Sequence, residues 1–203
     1  LADGMGGYKA GEVASAIAVT GIYTDIKSGL KNSKHKGMDK TSGLDKHSVL
    51  VRDAIKRANS SIYNTAQADE QCRGMGTTVV TAVTYQDSIS IAHVGDSRLY
   101  RIRGDDFKQI TKDHSLVQEL IDRGLFSPEE SANNAPKNLV TRALGIDAKV
   151  EIDVIEDKLA SGDIYLLCSD GLTDMVKDEE GWWYFPEYKG MIPLTFTLRA
   201  KKI

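Results

Sequence analysis

Two stretches of the sequence decide its interpretation: LADGMGG at residues 1–7 and IYLLCSDG at residues 164–171. In each, an aspartate follows apolar residues and precedes a glycine, a pattern typical of a strand that ends at a cleft and directs its last side chain into it. Hard cations such as Mg²⁺ and Mn²⁺ prefer carboxylate, carbonyl and water oxygens, and glycine lets a backbone carbonyl approach an ion closely. Asp3 and Asp170 therefore predict a shared metal site, although an Asp-Gly pair taken alone is more often a simple turn.

The composition excludes several other classes of protein. The chain has 203 residues, a formal net charge of -3 and a pI near 5.8, which predict one domain with no broad basic surface for nucleic acid. No run of about 18 apolar residues and no signal-peptide pattern is found, so no membrane partner is expected and the cytoplasm is the expected location. The two cysteines form no C-x-x-C pair, and Cys168 is expected to be buried because its neighbours are apolar.

The spacing of apolar residues predicts helices first and strands afterwards. Helical spacing occurs at residues 10–26 and 49–68, with a polar loop at residues 29–47 that carries His35 and His47. Alternating or β-branched patterns predict strands at residues 77–85, 88–93, 98–103, 107–111, 149–155 and 163–168. Short helices are predicted at residues 115–123, from residue 127 and at residues 173–178. This order favours an α+β fold in which the strands of residues 77–111 form one antiparallel meander.

The two aspartate stretches occur in a fixed order with four other motifs. These are GMGTTVV at residues 74–80, HVGDSRLY at 93–100, TKDHS at 111–115 and VTRALG at 140–145. Over roughly residues 1–178, this order resembles the metal-dependent protein serine/threonine phosphatases of the PPM (PP2C) family in their compact bacterial form. The resemblance implies an α/β/β/α sandwich of two antiparallel sheets flanked by helices. It also implies that the short helices between residues 115 and 134 form a flap beside the active site.

The resemblance assigns roles to individual residues. It implies that Asp3 bridges two metal ions, that the Gly4 carbonyl binds one of them and that Asp170 binds the other. Asp113 would share a third, weaker metal with Asp170, and Asp96 would orient waters or neighbouring groups. The catalytic residues implied are thus Asp3, Asp170 and Asp96, and the metal ligands are Asp3, Gly4, Asp170 and Asp113.

Alternative interpretations remain open for some of these positions. Asp96 and Asp113 are also compatible with turn or helix-cap residues. His93 lies in an alternating strand and is expected to be a buried structural histidine, while His114 is expected to cap or contact the flap, outside the catalytic group.

The function implied is hydrolysis of phosphoserine and phosphothreonine on proteins. Two metal ions about 3.5–4 Å apart lower the pKa of a bridging water and neutralise phosphoryl charge, so no nucleophilic side chain is needed. The expected cofactors are two Mn²⁺ or Mg²⁺ ions, with a third, weaker site. The expected partners are phosphorylated protein substrates of a serine/threonine kinase, and a monomer is expected.

Two family features are missing from the sequence. Family members have N-terminal strands with a phosphate-binding arginine and an acidic metal ligand, and a C-terminal Gly-x-Asp-Asn motif; neither is found here. The sequence thus predicts a phosphatase domain at residues 1–180 that is incomplete at both ends, followed by an atypical aromatic tail at 181–203. An alternative function is a catalytically impaired remnant that binds phosphoprotein or metal, and the tail could instead be a docking patch for a partner.

Overall fold

A computed structural model describes residues 1–6, 10–31, 37–127, 139–174 and 196–199. The elements in chain order are β1 (Gly4–Met5), α1 (Ala10–Leu30), α2 (Lys46–Ala68), β2 (Gly76–Thr77), β3 (Val79–Tyr85), β4 (Ser88–Val94), β5 (Arg98–Arg103), β6 (Asp106–Gln109), α3 (Leu116–Asp122), β7 (Asp153–Lys158), β8 (Ile164–Cys168), α4 (Asp170–Thr173) and β9 (Phe196–Arg199). None of the helices in these ranges is long and apolar enough to cross a membrane.

The strands form three antiparallel sheets. β1 pairs with β2, β3-β4-β7 form a three-stranded sheet, and β6-β5-β8-β9 form a four-stranded sheet. Alternating side chains in β3, β4 and β8 give each of the two larger sheets an apolar face, and these faces must pack against another layer to leave water. The predicted α+β class is confirmed.

The buried apolar side chains show how the helices and the two larger sheets are stacked in layers. The helices α1 and α2 pack on the outer face of the three-stranded sheet, where their buried residues meet Val79, Ala92 and Val94. Between the two sheets lie residues from both, namely Val80, Ile89, Ile91, Leu99, Tyr165 and Leu167. Each large apolar side chain that is fully buried there contributes about 1.5–3 kcal/mol. On the far face of the four-stranded sheet, Leu172 of α4 packs with Tyr100 and Cys168, so the predicted burial of this cysteine is confirmed.

The predicted single meander is wrong between β4 and β5. β4 pairs with β3 and β7, whereas β5 pairs with β6 and β8 in the other sheet. The chain crosses between sheets at Gly95, whose φ of 105° lies in the left-handed region. A Cβ at this position would lie 2.7 Å from the side chain of Thr78, so only glycine fits. Strand patterns show which face a residue occupies but not which strand is its neighbour.

The expected loop position of His47 is also wrong. His47 lies in the first turn of α2, where the carboxylate of Asp45 caps the helix by accepting from the backbone N–H of His47 at 2.8 Å. The imidazole stacks on Tyr85 with ring centroids 4.2 Å apart. Aspartate is a strong N-cap residue, and its position before the helical pattern explains the earlier start.

Several predictions lie outside the described residues. These are His35, the flap helix expected from residue 127 onward apart from its first residue, and most of the helix at 173–178. Within the tail, residues 196–199 form β9, which pairs with β8, and the remaining tail residues are outside the described part of the chain. The division into a domain at 1–180 and a tail at 181–203 stays a prediction.

Candidate metal centre

The predicted aspartates meet at one end of the two large sheets. In one sheet β3 begins and β4 ends there, and in the other β5 begins and β8 ends there. Asp3 lies beside Thr78, just before β3, while Asp96 follows β4 and Asp170 follows β8. Asp113 is bound to Arg98 at the start of β5. Antiparallel pairing therefore brings together carboxylates that are far apart in the sequence.

The carboxyl groups of Asp3 and Asp170 are neighbours in this centre. Burial raises the pKa of Asp170, and Asp3 raises it further through its charge and through a side-chain hydrogen bond. Two carboxyl groups share a hydrogen bond only when one of them carries a proton. A divalent cation would relieve the same crowding of negative charge, and oxygen donors of this kind are those that Mg²⁺ and Mn²⁺ prefer. The residues present therefore fit the expected metal ions.

Asp96 adds a further carboxyl group to this centre. Burial, and then the charge of Asp170, raise the pKa of Asp96 to about 6, with smaller effects from Asp113 and Asp3. The other three predicted aspartates thus all act on the carboxyl group of Asp96. Such a strong perturbation by burial and like charge is characteristic of functional sites.

The backbone of Asp3 is held by hydroxyl groups that sequence reasoning did not single out. The Asp3 N–H donates to Thr78 Oγ1 at 3.1 Å, and Thr78 Oγ1 lies 2.7 Å from Ser97 Oγ. The Asp3 carbonyl accepts from the Thr78 N–H and from Thr77 Oγ1, both at 2.9 Å. Thr78 and Ser97 are buried, so water does not compete for these bonds. Thr78 and Ser97 lie in the motifs GMGTTVV and HVGDSRLY. Their place in these motifs was the only feature of the sequence that could have indicated a role.

Gly4, the predicted carbonyl ligand, lies where two backbone segments approach closely. A Cβ on Gly4 would lie 2.1 Å from the carbonyl oxygen of Gly11, in the first turn of α1. A side chain at either glycine would force β1 away from the helix. The contact explains why glycine follows Asp3, and it fixes the backbone next to that carboxylate.

Asp113 is held by a side-chain ion pair. Arg98 donates from Nε to both carboxylate oxygens at 3.0 Å and from Nη2 to Oδ2 at 2.7 Å. Gln109 Nε2 donates to Oδ1 at 2.9 Å. The cap of α3 is Ser115 rather than Asp113, since the Ser115 hydroxyl accepts from the Gln118 N–H. The Arg98 guanidinium offsets the negative charge that Asp113 would offer a cation, and the role of Asp113 as a ligand of a third metal stays a prediction.

A second cluster, His93, His114 and Asp153, lies nearby with possible ligand atoms within 4.8 Å of one another. Its hydrogen bonds argue against a metal. The Gly95 N–H donates to His114 Nδ1 at 3.1 Å, so the proton of this neutral ring is on Nε2, which faces Asp153 at 3.3 Å. A protonated nitrogen cannot bind a metal, and the Arg142 guanidinium also lies 3.3 Å from Asp153. His93 is buried, as predicted, whereas the expectation that His114 caps or contacts the flap, outside the catalytic group, stays a prediction.

We expect Asp96→Asn to stabilise the metal-free chain, and by more at about pH 7 than at about pH 4. The pKa of Asp96 is about 6 in the folded chain and about 3.9 when unfolded, so the folded state binds this proton more tightly. As the pH rises through this window, the wild type loses the stability that the protonated carboxyl contributes. Asparagine resembles the protonated form and does not titrate. Thermal unfolding in chelator across this pH range measures the difference.

The exposed residue Asp105 supplies a control for that measurement. Asp105→Asn removes the same charge from the chain without changing a buried group, so its effect on stability should be small. An equal effect of Asp96→Asn at both ends of the pH range would contradict the prediction.

Comparisons with known proteins identify the family of this chain. A family model described as protein phosphatase 2C matches residues 1–190. The chain is 39% identical over 180 residues to the serine/threonine phosphatase Stp of Listeria innocua, a match that covers 89% of this chain and 68% of that protein.

Solved structures show the same similarity. The serine/threonine phosphatase PstP/Ppp of Mycobacterium tuberculosis is 35% identical with a TM-score of 0.74, covering 88% of this chain and 70% of that one. The PstP catalytic domain in complex with two manganese ions is 36% identical with a TM-score of 0.71, covering 89% and 70%. The extent of the family match and the level of identity establish that the chain belongs to the protein phosphatase 2C family.

Proposed function

We propose that this chain hydrolyses phosphoserine and phosphothreonine on proteins with the help of Mn²⁺ or Mg²⁺. The observation that carries the proposal is the group of carboxylates at the sheet ends: besides burial, Asp3 raises the pKa of Asp170, and Asp170, Asp113 and Asp3 raise the pKa of Asp96. Support for a protein substrate comes from Stp of Listeria innocua, which is named a serine/threonine phosphatase, and support for manganese from the PstP structure.

The proposed ligands are Asp3, the Gly4 carbonyl and Asp170 for two cations, with Asp113 and Asp170 for a third. When bound, such ions lower the pKa of water and neutralise charge on a phosphoryl group. The chain itself supplies the positioning. Asp3 is fixed through Thr78, and Asp113 is held by Arg98. Because these supports are buried or paired, the backbone of Asp3 and the carboxylate of Asp113 keep their places without a bound ion, which reduces the reorganisation needed during reaction.

Asp96 has a separate proposed role. Its carboxyl group is partly buried beside Asp170 and holds a proton more tightly than an ordinary aspartate, since its pKa is raised to about 6. It can therefore donate or accept a hydrogen bond with water or a phosphoryl oxygen near neutral pH. In this way it would orient the groups that enter the centre.

Phosphate release from a phosphothreonine peptide by the full chain tests the proposal. We expect turnover with added Mn²⁺ or Mg²⁺ and none with excess chelator, since the carboxylates cannot activate water alone. Calorimetric titration with Mn²⁺ in parallel separates binding from turnover. Release that continues undiminished in chelator would refute the metal-dependent mechanism, and Mn²⁺ binding without any turnover would refute the enzymatic function.

The proposal also covers the opposing kinase, the oligomeric state and the cellular location of the chain. The substrates are phosphorylated by a serine/threonine kinase that this chain opposes, the chain acts as a monomer, and it acts in the cytoplasm. Sedimentation of the purified chain tests the monomer, and a comparison of phosphoprotein levels in cells with and without the chain tests the opposition to a kinase.

A further inference from the structure

Two hydrogen bonds join the segments that carry Asp96 and Asp113. The His114 N–H donates to the Gly95 carbonyl at 3.0 Å, and the Gly95 N–H donates to His114 Nδ1 at 3.1 Å. His114 thus satisfies both backbone groups of Gly95. Each partner is the immediate neighbour of a site aspartate, because Gly95 precedes Asp96 and His114 follows Asp113. We call this arrangement the histidine clamp, formed by Gly95 and His114.

Asp153 fixes the chemical form of His114 that the clamp requires. Its carboxylate oxygen lies 3.3 Å from His114 Nε2, so it accepts the ring proton there and leaves the lone pair of Nδ1 for Gly95. The imidazole is only 7% exposed and stacks on His93 with centroids 4.8 Å apart. Because the ring is enclosed, water cannot readily replace the Nδ1 bond.

The turn at Gly95 depends on the histidine clamp for its stability. Gly95 has a φ of 105° at the point where the chain leaves one sheet for the other, and within the described residues it pairs with no strand of either sheet. His93 Nε2 lies 2.8 Å from the Lys112 carbonyl and so supports the same segment from the preceding residue. Without His114, the turn would lose the acceptor for its buried N–H, which costs about 1–3 kcal/mol and favours a rearrangement.

We propose that His114, oriented by Asp153, is a positioning residue that holds Asp96 and Asp113 at the separation that cation binding requires. It does not touch substrate or metal. Partners that orient the ligands of a metal typically contribute a factor of about 10–100 to metal affinity or activity. The activity part of this inference rests on the proposed function, whereas the part on metal affinity does not.

The test compares three variants of the full chain. His114→Ala removes the acceptor, and His114→Asn places an amide oxygen close to the position of Nδ1. The control is Asn59→Ala, because Asn59 is also buried and its Oδ1 accepts a glycine N–H, that of Gly145, at 2.8 Å. Calorimetric titration with Mn²⁺, thermal unfolding in chelator, and kcat and KM with a phosphothreonine peptide are measured for each.

We expect His114→Ala to weaken Mn²⁺ binding about 10–100-fold and to lower kcat by a similar factor, with little change in KM. His114→Asn should recover most of both losses. Asn59→Ala should lower the melting temperature in chelator without changing Mn²⁺ affinity, which separates positioning from general stability.

Wild-type Mn²⁺ affinity in His114→Ala, or an equal loss of affinity in Asn59→Ala, would overturn the inference. If His114→Ala does not fold, Asp153→Ala serves instead, because it frees the imidazole to change tautomer while leaving the ring in place. Unchanged Mn²⁺ affinity in that variant would equally overturn the inference. A wild-type chain without turnover whose Mn²⁺ binding still depends on His114 would refute the proposed function alone.

Discussion

Replacing Asp170 by asparagine should reduce metal-dependent phosphate release by at least about 100-fold, since even residues that only support a ligand contribute factors of this size. Asparagine keeps the shape of the side chain but removes the charge that binds a cation. The same change should raise the thermal stability of the metal-free chain. Burial and the neighbouring Asp3 raise the pKa of Asp170, which means that its ionised form destabilises the folded state near neutral pH.

Two measurements on Asp170→Asn check these opposite effects. Phosphate release with saturating Mn²⁺ gives the loss of activity, and the melting temperature in chelator gives the gain in stability. Asp174→Asn is a suitable control because Asp174 is exposed and lies only four residues further along the chain. Normal turnover by Asp170→Asn, or a lower melting temperature in chelator, would show that the centre is not the crowded carboxylate site described above.

Gly4→Ala should destabilise the chain by roughly 3 kcal/mol, at the upper end of the usual penalty for overpacking. The added methyl carbon would lie 2.1 Å from the Gly11 carbonyl oxygen and 2.4 Å from its carbonyl carbon. Both are backbone atoms at the start of α1, so no side chain can rotate away to make room. β1 must therefore move, and Asp3 moves with it. A melting temperature lower by about 10 °C is expected for a domain of this size.

The same helix offers a matched control, since Gly21 lies within α1 and a Cβ there would meet no atom within 4 Å. Gly21→Ala should stabilise the chain by up to about 1 kcal/mol because alanine favours a helix interior. Thermal unfolding of both variants separates the effect of the backbone clash at Gly4 from the effect of alanine on helix stability at Gly21. Titration of Gly4→Ala with Mn²⁺ measures whether the displacement of Asp3 also weakens metal binding. Equal melting temperatures for the two variants would mean that β1 does not pack against α1 as described.

Most of the long helices and strands could be predicted from the sequence. Helical spacing predicted α1 and α2, and β-branched patterns predicted β3 to β5 to within one or two residues. The position of Asp3 and Asp170 between apolar runs and glycine predicted strand ends at one cleft, and the structure places both residues at the same end of the two large sheets. These features depend on the pattern of neighbouring residues along the chain, which can be seen in a single sequence.

The remaining features depend on tertiary neighbours. Alternation in β4 and β5 could not show that they belong to different sheets, because that depends on the conformation of Gly95 and its fit against Thr78. The histidine clamp joins segments that meet only after both sheets have formed. The roles of Asp3, Gly4, Asp170 and Asp113 as metal ligands, and of Asp96 as a residue that orients waters or neighbouring groups, stay predictions.

The predicted metal ligands Asp3 and Asp170 are attached to two different sheets, so changes in the core between the sheets can alter the site. Asp3 is attached to the first sheet and Asp170 to the second, so the distance between them follows the thickness of the apolar layer that separates the sheets. Ile91 and Tyr165 in that layer therefore set the spacing of groups they never touch. Substitutions of Ile91 or Tyr165 that thin or thicken this layer would therefore change the gap between the two carboxylates while leaving every aspartate unchanged.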